Sequence, residues 1–89
     1  MRMIADRSLL ADNIRFLRGR RKLSRGSFAK EINVPVLQVF CIEQELIDYI
    51  ELQGVQNISK IYGIEEKEIL WENLRIKYQN RRFPYRRLQ

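Results

Sequence analysis

The sequence of 89 residues predicts an all-α domain built from five short helices. Its apolar residues recur at spacings of three and four in successive segments, which is the period of an amphipathic helix. Pro35 and Gly63 stand between these segments, where they suit the beginning of one helix and the end of another. Alternating runs bounded by turn residues are weak, so no strand is predicted.

The first helix is predicted over about residues 9–21, with Ser8 or Asp6 as its N-cap. Its apolar stripe consists of Leu10, Ile14 and Leu17. The second helix begins at Ser24, whose hydroxyl can accept a hydrogen bond from a free backbone N–H of the first turn. The inner face of that helix consists of Phe28, Ala29 and Ile32.

Asn33 follows the second helix and tolerates the left-handed backbone that a tight turn often needs. Pro35 then suits the first turn of a third helix, predicted over about 35–44, because its missing N–H has no partner to lose there. Val39 and Ile42 are expected to point inward from this helix.

A fourth helix is predicted over about 51–62, with Gly63 as the residue that ends it. The acidic pair Glu65-Glu66 suits the N-terminus of a fifth helix, which is expected to continue to about Gln79. We therefore expect one domain over residues 1–79 and a basic C-terminal tail over 80–89.

Charge is distributed very unevenly along this chain of net charge +6. Residues 1–30 hold nine Lys or Arg, residues 31–72 hold nine acids and two Lys, and residues 73–89 hold six Lys or Arg and no acid. No Lys or Arg occurs between Glu31 and Ser59. Basic patches are typical of proteins that bind polyanions, but solvated helix faces can carry the same charges.

Several functional classes lack support in this composition. The chain has no His and a single Cys, so it offers neither a zinc-binding cluster nor the commonest general base, and no pattern suggests catalysis or a cofactor. No apolar run approaches the roughly 18 residues of a membrane helix, and the start lacks the apolar core of a signal peptide. These observations favour a cytoplasmic protein without a membrane partner.

The order of motifs over residues 10–70 resembles the Cro/CI-type, or XRE-like, helix-turn-helix family of bacterial and phage regulators. The resemblance rests on Ile14-Leu17-Arg18, Leu23-Ser24, Phe28-Ala29, Ile32, Val34, Ile42-Glu43, Ile58-Ser59, Tyr62-Gly63-Ile64 and Ile69-Leu70. It implies a five-helix, lambda-repressor-like fold that places the third helix in the major groove of double-stranded DNA. It also implies a structural ion pair between Arg18 and Glu43, since guanidinium and carboxylate fit each other closely.

The resemblance further implies a DNA-binding surface and a two-fold homodimer that binds paired half-sites as a repressor. The expected DNA-binding residues are Arg21, Ser24, Arg25, Ser27, Val36, Leu37, Gln38, Cys41 and Gln44. Arg25 replaces the Gln that is usual in the family and could hold phosphate or guanine. Gln38 is expected to contact base edges, and Ser27 and Arg21 phosphates.

The third helix departs from the family, because its outward positions are apolar where polar or basic residues are usual. The segment after Glu43 is also one residue longer and strongly apolar. Two hypotheses follow: the helix still enters DNA, or a degenerate helix-turn-helix uses it to bind a protein. The possible protein interface consists of Phe40, Leu46, Ile47, Tyr49, Ile50, Trp71 and Leu74.

Cys41, Trp71 and the C-terminal tail each allow a purely structural interpretation as well as a functional one. Cys41 is expected to be a small, partly buried hydrophobe, with a redox switch as the alternative. Trp71 is expected to pack against the core or a partner. The tail with Phe83 and Tyr85 could bind single-stranded nucleic acid, reach into a minor groove or be disordered. RNA binding by the two basic ends of the chain is a third possible function, after DNA binding and protein binding.

Overall fold

A computed structural model describes residues 1–85 and shows a mostly helical chain with a small antiparallel sheet. Six helices are present in these residues where five were predicted. The elements are β1 (Arg2–Ile4), α1 (Arg7–Arg20), α2 (Arg25–Ile32), α3 (Val36–Glu43), β2 (Tyr49–Glu51), α4 (Leu52–Tyr62), α5 (Glu66–Trp71) and α6 (Leu74–Lys77).

The first four helices begin and end close to their predicted residues, because local chemistry fixes their ends. The carboxylate of Asp6, rather than Ser8, accepts the Leu9 N–H at 2.9 Å and so caps α1. Ser24 caps α2 by accepting from the Ser27 N–H. Asn33 and Gly63 both adopt left-handed backbone, at φ 60° and 69°, and end α2 and α4 as predicted.

The prediction that the chain forms no strand is wrong. Strand β1 pairs antiparallel with β2, with Met3 opposite Ile50. Ile50 is fully buried in the core, so the sheet ties the N-terminal segment to the segment that follows α3. Each strand has only three residues, which is too short for alternation to be visible, and the two partners lie far apart in sequence.

The single fifth helix expected to reach Gln79 is also divided, because the backbone becomes extended at Glu72. Asn13 of α1 is buried at this point and holds the break with three hydrogen bonds. Its amide donates to the carbonyls of Ile69 and Glu72, at 2.9 and 2.8 Å, and its oxygen accepts from the Leu74 N–H. Asn73 then caps α6 by accepting from a backbone N–H.

Phe83 anchors residues 80–85, which are otherwise exposed, to the helical core. The ring of Phe83 is 3% exposed and packs on Phe16, Tyr62 and Tyr78. Arg20 donates from its guanidinium to the backbone carbonyls of Tyr78, Gln79 and Arg81, which fastens this segment to α1. The division at residue 79 therefore does not separate Phe83 from the core, while Arg86 and Arg87 lie outside the described residues.

Candidate functional site

The α2–α3 pair, joined by the turn at Asn33 to Pro35, forms the candidate site. Phe28, Ala29 and Ile32 of α2 are buried, as are Val39 and Ile42 of α3, so both inner faces pack as predicted. The opposite face of α3 has no covering element among residues 1–85, and it leaves Val36, Leu37 and Phe40 exposed. This exposed face, which we call the α3 face, consists of Val36, Leu37, Phe40 and the following Gln44.

A buried carboxylate holds α3 against α1 and α2. Glu43 is 1% exposed, and its two oxygens accept from Nε and Nη2 of Arg18 at 2.8 and 2.9 Å. Arg18 also donates to the carbonyl of Leu23, and Arg15 donates to the backbone carbonyl of Glu43. The hydrogen bond to Glu43 raises the pKa of Arg18 despite its partial burial. The two residues of the expected structural ion pair thus lie in direct, forked contact.

Arg25 at the start of α2 shares the same carboxylate. Its Nε donates to Glu43 at 3.1 Å, and its guanidinium carbon lies 5.4 Å from the centre of the Phe40 ring. The two terminal nitrogens of Arg25 make no hydrogen bond within residues 1–85, and the side chain is 40% exposed. The contact with Glu43 therefore orients this guanidinium while leaving its outer edge available.

The other residues expected to contact phosphate have partners within the chain. Arg21 forms an ion pair with Glu31 and lies over the ring of Tyr62. Ser24 and Ser27 are both exposed and joined by a 3.0 Å hydrogen bond between their hydroxyls, at the N-terminus of α2. Arg21 would have to exchange Glu31 for phosphate, whereas the two serines lie at a helix end that suits an anion.

Gln38 points away from the α3 face. Its side-chain oxygen accepts from the backbone N–H of Glu51 in β2 at 3.0 Å, and the residue is half-buried. This contact joins α3 to the sheet and occupies the side-chain oxygen that a contact with base edges would use. Cys41 is half-buried on the same flank, in a shallow cleft with Leu37 and Tyr49, consistent with a small hydrophobe.

The residues expected to form a protein interface divide into two groups. Phe40, Leu46 and Trp71 are exposed, and Ile47 and Tyr49 are half-buried. Ile50 and Leu74 are fully buried in the core and have no surface to offer, so their assignment to an interface is wrong. Ile50 is inside because it belongs to β2, and Leu74 because α6 turns back onto α1.

Two structurally important contacts were not anticipated from the sequence. Asn13 lies three residues after Leu10 on the apolar stripe of α1, so a polar residue at an inward position could have been recognised as a buried hydrogen-bonding group. The contact between Gln38 and the Glu51 N–H had no sequence signal, because it depends on where β2 lies.

Comparison with protein families, curated proteins and solved structures gave no match to this chain. Residues 1–85 contain no cluster of three or more Cys, Asp or Glu residues placed to bind a metal ion. Within the same residues, no helix combines the length and apolar character needed to cross a membrane. The α2–α3 pair, with its uncovered apolar face and the exposed edge of Arg25, is therefore the candidate site.

Proposed function

We propose that this chain is a transcription regulator that binds duplex DNA through the α2–α3 pair and acts as a two-fold dimer in the cytoplasm. The observation that carries this proposal is the position of Arg25 beside the uncovered α3 face. Its guanidinium is oriented by Glu43 and Phe40, and both terminal nitrogens are unoccupied within the described chain. Such a fork fits a phosphate, or the O6 and N7 acceptors of guanine.

The α2 N-terminus adds to this surface. Ser24, Gly26 and Ser27 are exposed there, and the first backbone N–H groups of a helix attract anions. Lys22 and Lys30 are exposed in the preceding turn and on α2, where they supply positive charge. Contacts of this kind position a protein on DNA and account for much of its affinity.

The first experiment is a selection of duplexes from a random pool at about physiological salt, where non-specific binding is weakened. A two-fold symmetric motif is expected. Binding of the selected duplex is then measured for Arg25→Ala and for Lys67→Ala, which removes the same charge from the exposed surface of α5. Arg25→Ala should weaken binding by about 1–3 kcal/mol. Lys67→Ala should change the affinity less.

A failure to enrich any motif, or an unchanged affinity in Arg25→Ala, contradicts the proposal. Arg25 also touches a structural carboxylate, so thermal unfolding of both variants must show that they remain folded at the assay temperature. The dimer is tested separately by sedimentation equilibrium without DNA. Trp71 is 61% exposed on α5 and remains a candidate for its interface.

The composition of the α3 face favours a second candidate, which is a protein-binding module. Val36, Leu37, Phe40 and Leu46 are exposed together with acidic Glu45, and no Lys or Arg occurs in residues 32–59. An apolar surface with few charged residues is typical of the centre of a protein interface, whereas the phosphates of DNA favour positive charge. Under this candidate no DNA motif is enriched, and Leu37→Ala abolishes a complex that survives Arg25→Ala.

A further inference from the structure

The α3 face offers DNA almost no hydrogen-bonding groups. Val36, Leu37 and Phe40 are 53%, 66% and 41% exposed, and their spacing places them on one side of the helix. Gln44, which follows the last turn, carries the only exposed polar side chain of residues 36–44. Glu43 is buried between two arginines, and the side-chain oxygen of Gln38 accepts from the Glu51 N–H, so the half-buried Gln38 can offer only the N–H donors of its amide.

The orientation of Gln38 is fixed by the fold and not only by the rotamer of its side chain. The side-chain oxygen of Gln38 bonds the backbone of β2, and β2 is itself paired with β1. Turning Gln38 toward the exposed side would leave the Glu51 N–H without this partner. The sheet therefore occupies the oxygen of this amide, so Gln38 cannot offer a base both a donor and an acceptor while the bond to Glu51 is kept.

The chemistry of the major groove then restricts what such a surface can recognise. The C5-methyl of thymine is the one apolar group that the base edges display there. Apolar side chains laid over the amino groups of cytosine or adenine leave those donors without hydrogen-bond partners, which is unfavourable. Thymine methyls are favourable contacts for Val36 and Leu37, because both surfaces leave water together.

We propose that the α3 face reads DNA through thymine methyl groups, with Leu37 and Val36 as the residues that determine specificity. This inference rests on the proposed DNA-binding function. Arg25 supplies the polar part of recognition at the edge of the same face, through phosphate or a guanine. The preferred half-site accordingly contains thymines along α3, and its recognition depends on their methyl groups.

The test uses the duplex selected by the wild-type protein, with individual thymines replaced by deoxyuridine. This change removes only the methyl and keeps base pairing. Each contacted methyl should contribute about a fourfold change in the dissociation constant. Deoxyuridine placed outside the half-site serves as the control and should have no effect. In a further duplex a contacted thymine is replaced by cytosine. Replacing that cytosine by 5-methylcytosine should recover part of the lost affinity, because it restores the C5-methyl.

Leu37→Ala and Val36→Ala assign the contacts, and both residues are exposed enough that folding should be preserved. Each variant should bind the thymine and deoxyuridine duplexes equally at the position that its side chain contacts. Binding that is indifferent to every deoxyuridine overturns the methyl-reading inference while leaving DNA binding intact. A complete absence of selected duplexes instead overturns the proposed function, and the inference with it.

Discussion

Replacing Arg18 by Met removes the principal partner of the Glu43 carboxylate while retaining most of the volume of the side chain. Two of the three hydrogen bonds to this carboxylate disappear, and only the 3.1 Å contact from Arg25 remains. Glu43 cannot regain water without displacing α3, because its side chain is completely buried. The substitution therefore leaves a charge inside the domain with one partly exposed partner.

The expected loss can be set against the total stability. Removing one member of a buried ion pair typically destabilises a protein by about 3–5 kcal/mol. A domain of 89 residues has a free energy of unfolding of roughly 4–13 kcal/mol, so the loss is a large share of the total. The melting temperature should fall by on the order of 12–40 °C, at about 4–8 °C per kcal/mol for a domain of this size.

The assay is urea and thermal unfolding followed by circular dichroism, with two comparison variants. Arg25→Met keeps both contacts from Arg18, so it should destabilise the domain much less. The double variant Arg18→Met with Glu43→Gln removes the stranded charge and should recover part of the stability lost in Arg18→Met alone. A loss below about 1 kcal/mol in Arg18→Met, which is the size of an ordinary surface ion pair, would refute the reasoning.

Two further predictions concern the C-terminal part of the domain. Phe83→Ala should lower the free energy of unfolding by about 3–5 kcal/mol in urea denaturation, because the ring is buried, whereas Tyr85→Ala should change it little; equal small effects would show that the segment is not packed. The pKa of Glu68 is lowered, since hydrogen bonds from Lys77, the Glu65 N–H and the Tyr78 hydroxyl outweigh the opposing effect of burial. Because the folded-state pKa is lowered, ionised Glu68 stabilises the fold at pH values above its ordinary pKa near 4.5, and this stabilisation is lost as the pH falls through the folded-state pKa. The free energy of unfolding, measured as a function of pH, should therefore decrease in acid for the wild type and decrease less for Glu68→Gln.

The sequence predicted the first four helices well because their ends depend on near neighbours. An Asx or Ser cap needs only the N–H groups of the next turn, and a left-handed C-cap needs only a residue that tolerates positive φ. Asp6, Ser24, Asn33 and Gly63 all serve in this way. The inward residues of these helices followed from the helical period for the same reason.

The candidate site could be predicted only in part. The exposure of Val36, Leu37 and Phe40 followed from their places opposite Val39 and Ile42 on the helix. The contacts of the polar residues could not be predicted in this way, because their hydrogen-bond partners are distant in sequence. Gln38 is predicted to contact base edges, and no feature of the sequence indicates that its side-chain oxygen accepts from the Glu51 N–H.

The sequence by itself determined the first four helices, the caps at Ser24, Asn33 and Gly63 and the apolar character of the third helix, because these follow from local period and from residues within one turn. The tertiary structure alone decided the β1–β2 pairing, the break between α5 and α6, and the packing of Phe83. It also decided which cations face solvent, with Arg25 left partly free while Arg18 and Arg20 are engaged. Each of these outcomes depends on a donor, acceptor or ring that is brought close only when distant segments pack together.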